Sequence, residues 1–498
     1  MRTKVIRWNS SDGYEITDLR EAAGIIRFGG LVAFPTETVY GLGCDGRSSE
    51  AAAKVYEAKG RPSDNPLILH IADREMLDDL VGEIPEVAAK LIENFWPGPM
   101  TLVFTKSDKV PKQVTGGLET VAVRMPAHAG AAELIRAAGV PIAAPSANLS
   151  GKPSPTDAKA VIEDLDGRID MIIDGGEVGI GYESTIIDVT GLRPVILRPG
   201  FITKEMIEEV IGKDSDVEAV IDSSDDSVTQ APKAPGMKYK HYSPEAQVTV
   251  VRGDEAQVEE KINELVRQFP SDSVGILTTE ERRNIYDYGV VLDIGSEKEH
   301  TLGQKLYASL RDFDRFGVQR VYAETFFGND KEDALMNRLM KAAGGEVIDL
   351  RNYKKVVFVC KENLNLSPMC EWILKSILMD KSLEICSRGL VVLFEEPVNA
   401  KIISVLGKHC IPCRDQVSRQ LKQSDIDDDT LVITMSFTEK VKVVEDFGMT
   451  EHVYTLRELV GLEDDVTDPY GGDEQAYEDT YTELKDLLYE VKKRMGWV

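Results

Sequence analysis

Residues 34–43 have the sequence Phe-Pro-Thr-Glu-Thr-Val-Tyr-Gly-Leu-Gly. They continue the apolar run of residues 31–34, Leu-Val-Ala-Phe, whose length and composition predict a buried strand. Two further short stretches follow in order, Lys-Gly-Arg-Pro at residues 59–62 and Pro-Ser-Ala-Asn at residues 145–148. One such stretch could arise by chance, but three in this order are hard to explain by chance.

The first 211 residues alternate short β-rich apolar runs with amphipathic helical patterns. Further strands are predicted at residues 67–69, 102–104, 121–123 and 142–144, and helices at residues 156–165 and 204–210. This alternation predicts that residues 1–211 form an α/β domain with a twisted, mixed sheet. Residues 1–9 carry charges within their only apolar stretch, which favours a first strand over a secretory signal.

The rest of the chain divides by composition into a linker and two more α/β domains. Residues 212–245 are rich in Asp and Ser and lack apolar periodicity at their start, which predicts a linker. A Rossmann-like α/β domain is predicted for residues 246–351. A third α/β domain with a parallel sheet is predicted for residues 354–498, from the strand-like residues 355–360 to an amphipathic helix at residues 474–495.

Composition argues against several classes of protein. A chain of 498 residues is long enough for about three domains, and no apolar run approaches the ~18 residues of a membrane span. Six scattered cysteines favour a reducing cytoplasm over a disulfide framework. The net charge of −27 should repel nucleic acid over most of the surface, so any direct contact with a nucleic acid would have to be local and is left open.

Polar and basic residues of the ordered stretches suit the chemistry of ATP, which requires cations and donors around phosphate oxygens. Lys59 and Arg61 share one side of the chain if this stretch is extended, as the flanking glycine and proline indicate. Ser146 and Asn148 have the same spacing, so a hydroxyl and an amide could face the basic pair across a cleft. Taken singly, each residue is better explained as a solvated charge, a turn or a helix cap.

The complete set of motifs resembles the threonylcarbamoyl-AMP synthases, which are YrdC-like enzymes, in their long form with an added C-terminal domain. Other matching motifs are Trp-Pro-Gly-Pro-Met-Thr at residues 96–101, Glu-Ser-Thr at residues 183–185 and Arg-Pro-Gly at residues 198–200. The resemblance covers the first domain and the linker. The domain at residues 246–351 resembles the extra domain of the long form.

The resemblance implies an L-threonylcarbamoyladenylate synthase, a nucleotidyltransferase that acts on L-threonine, bicarbonate or carbon dioxide, and ATP. The amine of threonine would be carboxylated, and the carbamate oxygen would attack the α-phosphate, so the enzyme would act by positioning and charge neutralisation. Magnesium would arrive with ATP, held mainly by phosphates and water, with no metal site in the protein. The product would pass to a separate tRNA threonylcarbamoyl transferase complex, which modifies the adenosine next to the anticodon.

By motif position, the resemblance also implies the site residues. The catalytic set would be Lys59, Arg61, Ser146 and Asn148. Threonine would be held by Thr38, His70, Arg124, Ala144 and Ser184. ATP would be held by Arg61, Asn65, Thr120, Ser146, Ser154, Arg198 and Tyr242. Arg124 would pair with the carboxylate of threonine, for which a planar guanidinium is well suited. Tyr242 would reach the nucleotide from a strap formed by the linker, which would exclude water from the carbamate.

Residues 354–498 resemble the low-molecular-weight protein tyrosine phosphatases and the related arsenate reductases. The match includes Val-Cys at residues 359–360, Ser-Pro-Met at residues 367–369, Ser-Arg-Gln-Leu at residues 418–421 and Asp-Pro-Tyr at residues 468–470. That family uses a cysteine thiolate as its nucleophile, an arginine that grips the phosphate, and an Asp-Pro acid that protonates the leaving group.

Two positions depart from the phosphatase pattern. Cys360 and Asp468 occupy the nucleophile and acid positions, but Leu366 occupies the position of the arginine and Glu362 replaces a small loop residue. Losing the bidentate partner of a phosphate while adding a negative charge opposes binding of a dianion. We therefore expect an inactive remnant kept for binding or regulation, with weak activity rescued by Lys361 as the alternative.

Other functions are weighed against the synthase. An RNA-binding or regulatory protein with a phosphatase-like sensor domain is the main alternative, and the net charge of −27 counts against it. Carbamoyl transfer to another protein, as in hydrogenase maturation factors, would be accompanied by zinc-finger and acylphosphatase segments that the sequence lacks. Cys410 and Cys413 have the spacing of a redox pair, but incidental cysteines explain them better.

Overall fold

The structure is a computed structural model that describes residues 2–8, 16–212, 217–219, 242–326, 330–351, 353–379, 382–413, 416–427, 429–449, 452–462 and 464–497. Two compact units divide the chain. The first comprises Met1–Asp222, Thr229–Val248 and Asn263–Gly344, and the second comprises Ser223–Val228, Thr249–Ile262 and Gly345–Val498. Most of the predicted linker, including residues 220–241, lies outside the described residues.

The first unit opens with a mixed α/β domain. Its elements are β1 (Lys4–Arg7), α1 (Ile16–Arg27), β2 (Val32–Phe34), β3 (Gly41–Asp45), α2 (Ser49–Lys59), β4 (Ile68–His70), α3 (Glu86–Phe95), β5 (Met100–Thr105), β6 (Thr120–Arg124), α4 (Ala129–Ala138), β7 (Ile142–Ala144), α5 (Ala158–Leu165), β8 (Met171–Asp174), β9 (Thr185–Asp188), β10 (Val195–Arg198), α6 (Lys204–Ile211) and β11 (Glu218–Ala219). The strands form one sheet in the order β1-β8-β2-β3-β7-β4-β6-β5-β9-β10-β11, with parallel and antiparallel pairs.

Side chains alternate between the two faces of this sheet, as strand geometry requires. Val32 and Phe34 pack with buried residues of α1 and α4, whereas Leu31 and Ala33 pack with buried residues of α2, α3 and α5. Helices therefore cover both faces, and the twisted, mixed sheet predicted from the sequence is confirmed. The strands predicted from the apolar runs correspond to β2, β4, β5, β6 and β7.

The end of α2 fixes the backbone around the Lys-Gly-Arg-Pro stretch. Gly60 caps the helix in the left-handed conformation, with φ of 65°, and its N–H donates to the carbonyls of Glu57 and Tyr56. Glycine adopts this conformation without steric cost. Lys59 is thus the last helical residue and Arg61 follows the reversal, so the extended conformation predicted for this pair is wrong.

Strand β12 (Gln247–Arg252) and helix α7 (Glu255–Val266) come next in the chain. The first unit then contains β13 (Val274–Thr278), β14 (Val290–Asp293), α8 (Leu306–Arg315), β15 (Arg320–Glu324) and α9 (Asp330–Ala343). Strand β13 pairs in parallel with both β14 and β15, which agrees with the predicted Rossmann-like architecture.

The second unit contains β16 (Val347–Asp349), β17 (Lys355–Cys360), α10 (Leu366–Ile377), β18 (Glu384–Gly389), α11 (Ala400–Lys408), β19 (Thr430–Thr434), α12 (Phe437–Phe447), β20 (Val453–Thr455) and α13 (Glu474–Arg494). Its four-stranded sheet has the order β18-β17-β19-β20 and is parallel throughout, as predicted. None of the helices in the described ranges combines the length and apolar character needed to cross a bilayer.

Candidate active site

One cleft in the first unit collects most of the predicted site residues. With its open mouth it contains about 740 Å³ of space. The predicted residues that line it are Thr38, Lys59, Arg61, His70, Arg124, Ala144, Ser146, Asn148, Ser154, Ser184, Arg198 and Tyr242. Asn65 and Thr120 are not among the lining residues.

Neighbouring strand ends bring the predicted threonine site together. Strands β4 and β6 are parallel, and His70 is paired with Arg124 at the carboxyl end of both. Strand β5 runs antiparallel to β6, which places Thr101 opposite Arg124. Ala144 ends β7 and pairs with Ile68 of β4. Side chains that are distant in the sequence, His70, Arg124 and Ala144, therefore line the same cleft from neighbouring strands.

Arg124 has partners on three sides. Its Nη2 lies 2.6 Å from Oε1 of Glu37, its Nη1 donates to the Thr38 hydroxyl at 2.8 Å, and its Nε donates to the Gly98 carbonyl at 3.2 Å. Burial by itself would raise the pKa of Glu37, but the charge and hydrogen bond of Arg124 outweigh burial and lower it. The guanidinium is therefore balanced by a carboxylate of the protein.

His70 is a neutral group at the edge of this pair. Its Nδ1 lies 3.1 Å from the Ile68 carbonyl. Burial, and then the positive charge of Arg124, lower the pKa of His70 to about 3. An imidazole with this pKa adds no charge at neutral pH, so its contribution to binding is limited to shape and hydrogen bonds.

Ser184 and Arg198 line the cleft beside Thr101. The hydroxyl of Ser184 lies 2.7 Å from that of Thr101. Arg198 donates to the Ser184 carbonyl through Nη2 at 2.9 Å and through Nε at 3.2 Å. Arg198 lines the cleft and is only 6% exposed, so water screens its charge less than it would at the surface.

The Lys59 ammonium forms hydrogen bonds with the loop of residues 146–148, called here the Ser-x-Asn loop. Its Nζ donates to the carbonyls of Ser146 and Asn148, both at 2.5 Å, and lies 3.3 Å from Oδ1 of Asn148. The Ser146 hydroxyl in turn donates to Oδ1 of Asn148 at 2.5 Å. Burial, and then the charge of Arg61, lower the pKa of Lys59 well below its usual range. The predicted contact between the two motifs is thus present, largely through main-chain carbonyls.

Arg61 is positioned by the residue predicted to accompany it. Its Nη2 donates to Oδ1 of Asn65 at 2.6 Å and to the Pro66 carbonyl at 3.2 Å. Asn65 therefore lies behind Arg61, which explains its absence from the lining. Thr120 begins β6, at the opposite end of that strand from Arg124.

Ser154 and Tyr242 also line the cleft, and each contacts a residue whose role the family motifs do not indicate. The Ser154 hydroxyl donates to Oε1 of Glu183 at 2.6 Å. Tyr242 is 7% exposed, has φ of 65°, and stacks on Tyr307 with ring centroids 5.1 Å apart. A positive φ is rare for an aromatic residue, so its surroundings hold this side chain in place.

The second unit brings together the phosphatase-like residues at the end of β17. Cys360 is buried with its Sγ 2.9 Å from the Ser367 hydroxyl, and burial raises the pKa of the thiol. Leu366 is 5% exposed and packs in the same apolar cluster as Cys360. Asn365 Nδ2 donates to Oδ1 of Asp468 at 3.2 Å, and burial raises the pKa of that carboxyl. The loop therefore combines a protonated thiol with an apolar side chain at the arginine position.

Comparison with known proteins identifies relatives of each part. Family models match residues 24–200 (described as "Telomere recombination"), residues 202–344 ("Threonylcarbamoyl-AMP synthase, C-terminal domain") and residues 355–496 ("Low molecular weight phosphotyrosine protein phosphatase"). A threonylcarbamoyl-AMP synthase of Bacillus subtilis is 49% identical over 356 residues, which is 70% of this chain and 100% of the relative. One from Pyrococcus abyssi is 50% identical over 342 residues, 68% of this chain and 98% of the relative.

The chain belongs to the threonylcarbamoyl-AMP synthase family.

A solved structure of a family member agrees with this assignment. The crystal structure of Pyrococcus abyssi Sua5 complexed with L-threonine has a TM-score of 0.64 and 48% sequence identity, and the match covers 70% of this chain and 99% of that one. The predicted assignments as a long-form synthase and as an enzyme of this class are therefore confirmed, as is the added phosphatase-like domain at the C-terminus.

Four residues around the synthase cleft, Glu37, Glu183, Tyr307 and Arg338, could not be assigned a role from the sequence. The two glutamates lie inside family motifs, but a motif does not reveal which carboxylate is buried beside an arginine. Tyr307 lies on α8 and Arg338 on α9. Arg338 follows buried Ala334 and Leu335 by four and three residues, so a charge on an apolar helix face was the available signal.

Proposed function

We propose that the chain makes threonylcarbamoyl-AMP and pyrophosphate from L-threonine, bicarbonate or carbon dioxide, and Mg-ATP. The observation that carries the proposal is the convergence of the predicted threonine and ATP residues on one cleft. A nucleophile of the protein is not needed, because substrate atoms supply both reacting groups. The cleft has to hold the two substrates in line and neutralise charge as it develops.

Threonine would bind at the strand ends. Its carboxylate would take the place of Glu37 as partner of Arg124, with the hydroxyls of Thr38 and Ser184 nearby. Binding would then exchange one carboxylate for another at the same guanidinium, and the charge of the buried site would change little. The neutral His70 would contact the substrate without repelling its ammonium group.

ATP would occupy the wall that carries Arg61 and Arg198, with Ser146, Ser154 and Tyr242 beside it. The deprotonated amine of threonine adds to carbon dioxide, and the amine proton leaves to solvent. An oxygen of the resulting carbamate then bonds to the α-phosphorus while the bond to the bridging oxygen of pyrophosphate breaks. The guanidinium groups of Arg61 and Arg198 near the phosphates would favour the leaving pyrophosphate.

Magnesium would enter with ATP. Among the residues that the structure describes, no group of three or more His, Cys, Asp and Glu side chains is arranged to hold a metal ion. The lining carboxylate of Glu183 already accepts hydrogen bonds from three side chains. An ion held by phosphates and water suits such a cleft, since Mg²⁺ commonly keeps several of its waters. It would neutralise phosphate charge.

The product would serve threonylcarbamoylation of the adenosine next to the anticodon of tRNA. We propose that this chain works in the cytoplasm and hands its product to a separate transferase complex. The net charge of −27 supports this division of labour, because a strongly acidic surface disfavours extended contact with tRNA.

The test is mass-spectrometric detection of threonylcarbamoyl-AMP after incubation of the purified chain with L-threonine, bicarbonate and Mg-ATP. Product should require every substrate and should be lost in Arg61→Ala, while Arg47→Ala, an exposed charge change before α2, should keep it. Absence of product from folded protein would refute the synthase. Salt-dependent binding of RNA without turnover of ATP would then favour the RNA-binding alternative.

We further propose that the phosphatase-like domain does not hydrolyse phosphate monoesters. The support is chemical, because a thiol with a raised pKa is a poor nucleophile and Leu366 cannot bind a phosphate. With p-nitrophenyl phosphate, the full chain should show no more turnover than Cys360→Ser. Turnover that disappears in Cys360→Ser would overturn this proposal and favour rescue by Lys361.

A further inference from the structure

Helices α8 and α9 of the first unit send buried side chains to a carboxylate of the synthase cleft. Oε2 of Glu183 accepts a hydrogen bond from the Tyr307 hydroxyl at 2.8 Å and one from Nε of Arg338 at 3.1 Å. Tyr307 lies on α8 and Arg338 on α9, and they are 0% and 1% exposed. With Ser154 on Oε1, the carboxylate has donors on both oxygens.

Arg338 connects two of the motif loops. Its Nη2 donates to the main-chain carbonyl of Glu183 at 3.3 Å, and its Nη1 donates to the carbonyl of Pro199 at 2.8 Å. Its guanidinium carbon also lies 5.3 Å from the centroid of the Tyr182 ring. The buried guanidinium of Arg338 thus connects two loops. The Glu-Ser-Thr loop at residues 183–185 carries Ser184, and the Arg-Pro-Gly loop at residues 198–200 carries Arg198.

Tyr307 connects the same carboxylate to Tyr242. Its ring stacks on that of Tyr242 with an interplanar angle of 27°, while its hydroxyl donates to Glu183. Tyr242 keeps a left-handed backbone, which costs free energy unless packing compensates. The contact from α8 is therefore part of what holds this tyrosine at the cleft.

Charge makes the arrangement more than a packing contact. A carboxylate in the lining of a cleft that receives a triphosphate would repel that ligand. The pKa of Glu183 is lowered, because the charges of Arg338 and Arg198 and its hydrogen bonds outweigh the opposing effect of burial, so it is ionised. Arg338 forms a direct ion pair with it, at 3.1 Å. Removing this cation would leave only the charge of Arg198 to balance the carboxylate, so its repulsion of the phosphates would increase.

We propose that Arg338 and Tyr307 are positioning residues of the ATP site and act on it through Glu183. This inference rests on the proposed function, since it assigns the nucleotide to the wall lined by Ser154, Arg198 and Tyr242. Helices α8 and α9 then contribute directly to the synthase, because Arg338 supplies the counter-charge for Glu183 and Tyr307 supplies the stacking partner for Tyr242.

The experiment measures pyrophosphate release by the full chain at varied ATP and varied threonine. Arg338→Met should raise KM for ATP about ten- to a hundredfold and leave KM for threonine within about twofold, as expected for loss of one partner of a buried ion pair. Adding Glu183→Gln to this variant should restore most of the affinity for ATP, since the negative charge is then removed.

Arg315 provides the matched control. Its Nη2 lies 2.8 Å from Oε2 of Glu163, so it also joins α8 to the first domain, but neither residue lines the cleft. Arg315→Met should leave both KM values unchanged. A general loosening of the fold would instead affect both substrates alike in either variant.

Equal effects on both substrates, or a double variant no better than Arg338→Met, would overturn the proposal even though wild-type protein still makes product. If Arg338→Met does not fold, Tyr307→Phe decides. This change removes one hydrogen bond to Glu183 and keeps the ring, so KM for ATP should rise about two- to fivefold. An unchanged KM for ATP in Tyr307→Phe would refute the inference. Failure of the wild type to make product would refute the proposed function instead.

Discussion

Lys59→Met tests whether this lysine stabilises the loop of residues 146–148 or is available to bind a phosphate of the substrate. The residue is 2% exposed, and its Nζ contacts the carbonyls of Ser146 and Asn148 together with Oδ1 of Asn148. Methionine keeps most of the volume but donates no hydrogen bond. The substitution would therefore leave two main-chain carbonyls of the Ser-x-Asn loop without their donor.

The expected cost follows from those contacts. A buried acceptor left without a donor costs about 1–3 kcal/mol, so two carbonyls cost about 2–6 kcal/mol. Removing the buried cation, whose pKa is lowered by burial, also removes the cost of burying its charge and so partly offsets this loss of stability. We expect a net loss of about 2–4 kcal/mol, or a decrease in Tm of about 5–10 °C for a domain of this size.

Differential scanning calorimetry without substrates is the deciding measurement, because the two roles predict opposite signs. A lysine kept for phosphate would be an uncompensated charge in the ligand-free protein, so its replacement by methionine would raise Tm. Lys54→Met is the control on the same helix. Lys54 is exposed and donates to the Gly29 carbonyl at 2.6 Å, so its loss should cost less than about 0.5 kcal/mol. An unchanged or higher Tm in Lys59→Met, with a normal control, would refute the loop-holding role.

Three further predictions concern the same cleft. Glu37→Gln should lower stability by about 3 kcal/mol at pH 7 by urea unfolding, because Arg124 loses its charged partner. Since the pKa of Glu37 is lowered in the fold, this difference should shrink as the pH falls below about 4.5, and a constant difference would contradict it. KM for threonine should show no step near pH 6.5, because the pKa of His70 is about 3; a step that vanishes in His70→Asn would count against this. Tyr242→Ala should raise KM for ATP about three- to tenfold through loss of the stacked pair and let product hydrolyse, and unchanged kinetics would remove any role for the strap.

The fold was predictable from the sequence where short apolar runs mark buried strands. The run at residues 31–34 is apolar throughout because both faces of the strand are covered, with Leu31 and Ala33 packing on one side of the sheet and Val32 and Phe34 on the other. The backbone at Lys59 was not predicted correctly. A glycine permits several conformations, and only the packing of α2 selects the left-handed cap at Gly60.

The site was predictable as a set of motif residues but not as a network. His70 and Arg124 meet because of the register of β4 and β6. The sequence by itself does not reveal this register, and only the family resemblance predicted that both residues belong to one site. The pairing of Glu183 with Arg338 spans 155 residues, and no local pattern links two such positions. A buried arginine on the apolar face of a helix signals only that a partner exists. The partner itself has to be found in the folded chain.

The distance along the chain between Glu183 and Arg338 also has a consequence for synthesis. At ~5–20 residues per second, a ribosome needs about 8–30 s to translate the 155 residues that separate them. During that interval the nascent first domain carries the Glu183 carboxylate without its ion-pair partner Arg338. If Arg338 positions the ATP site as proposed, full affinity for ATP would arrive late in translation, and a chain cut short before α9 would contain every family motif of the cleft without the ion-pair partner of Glu183.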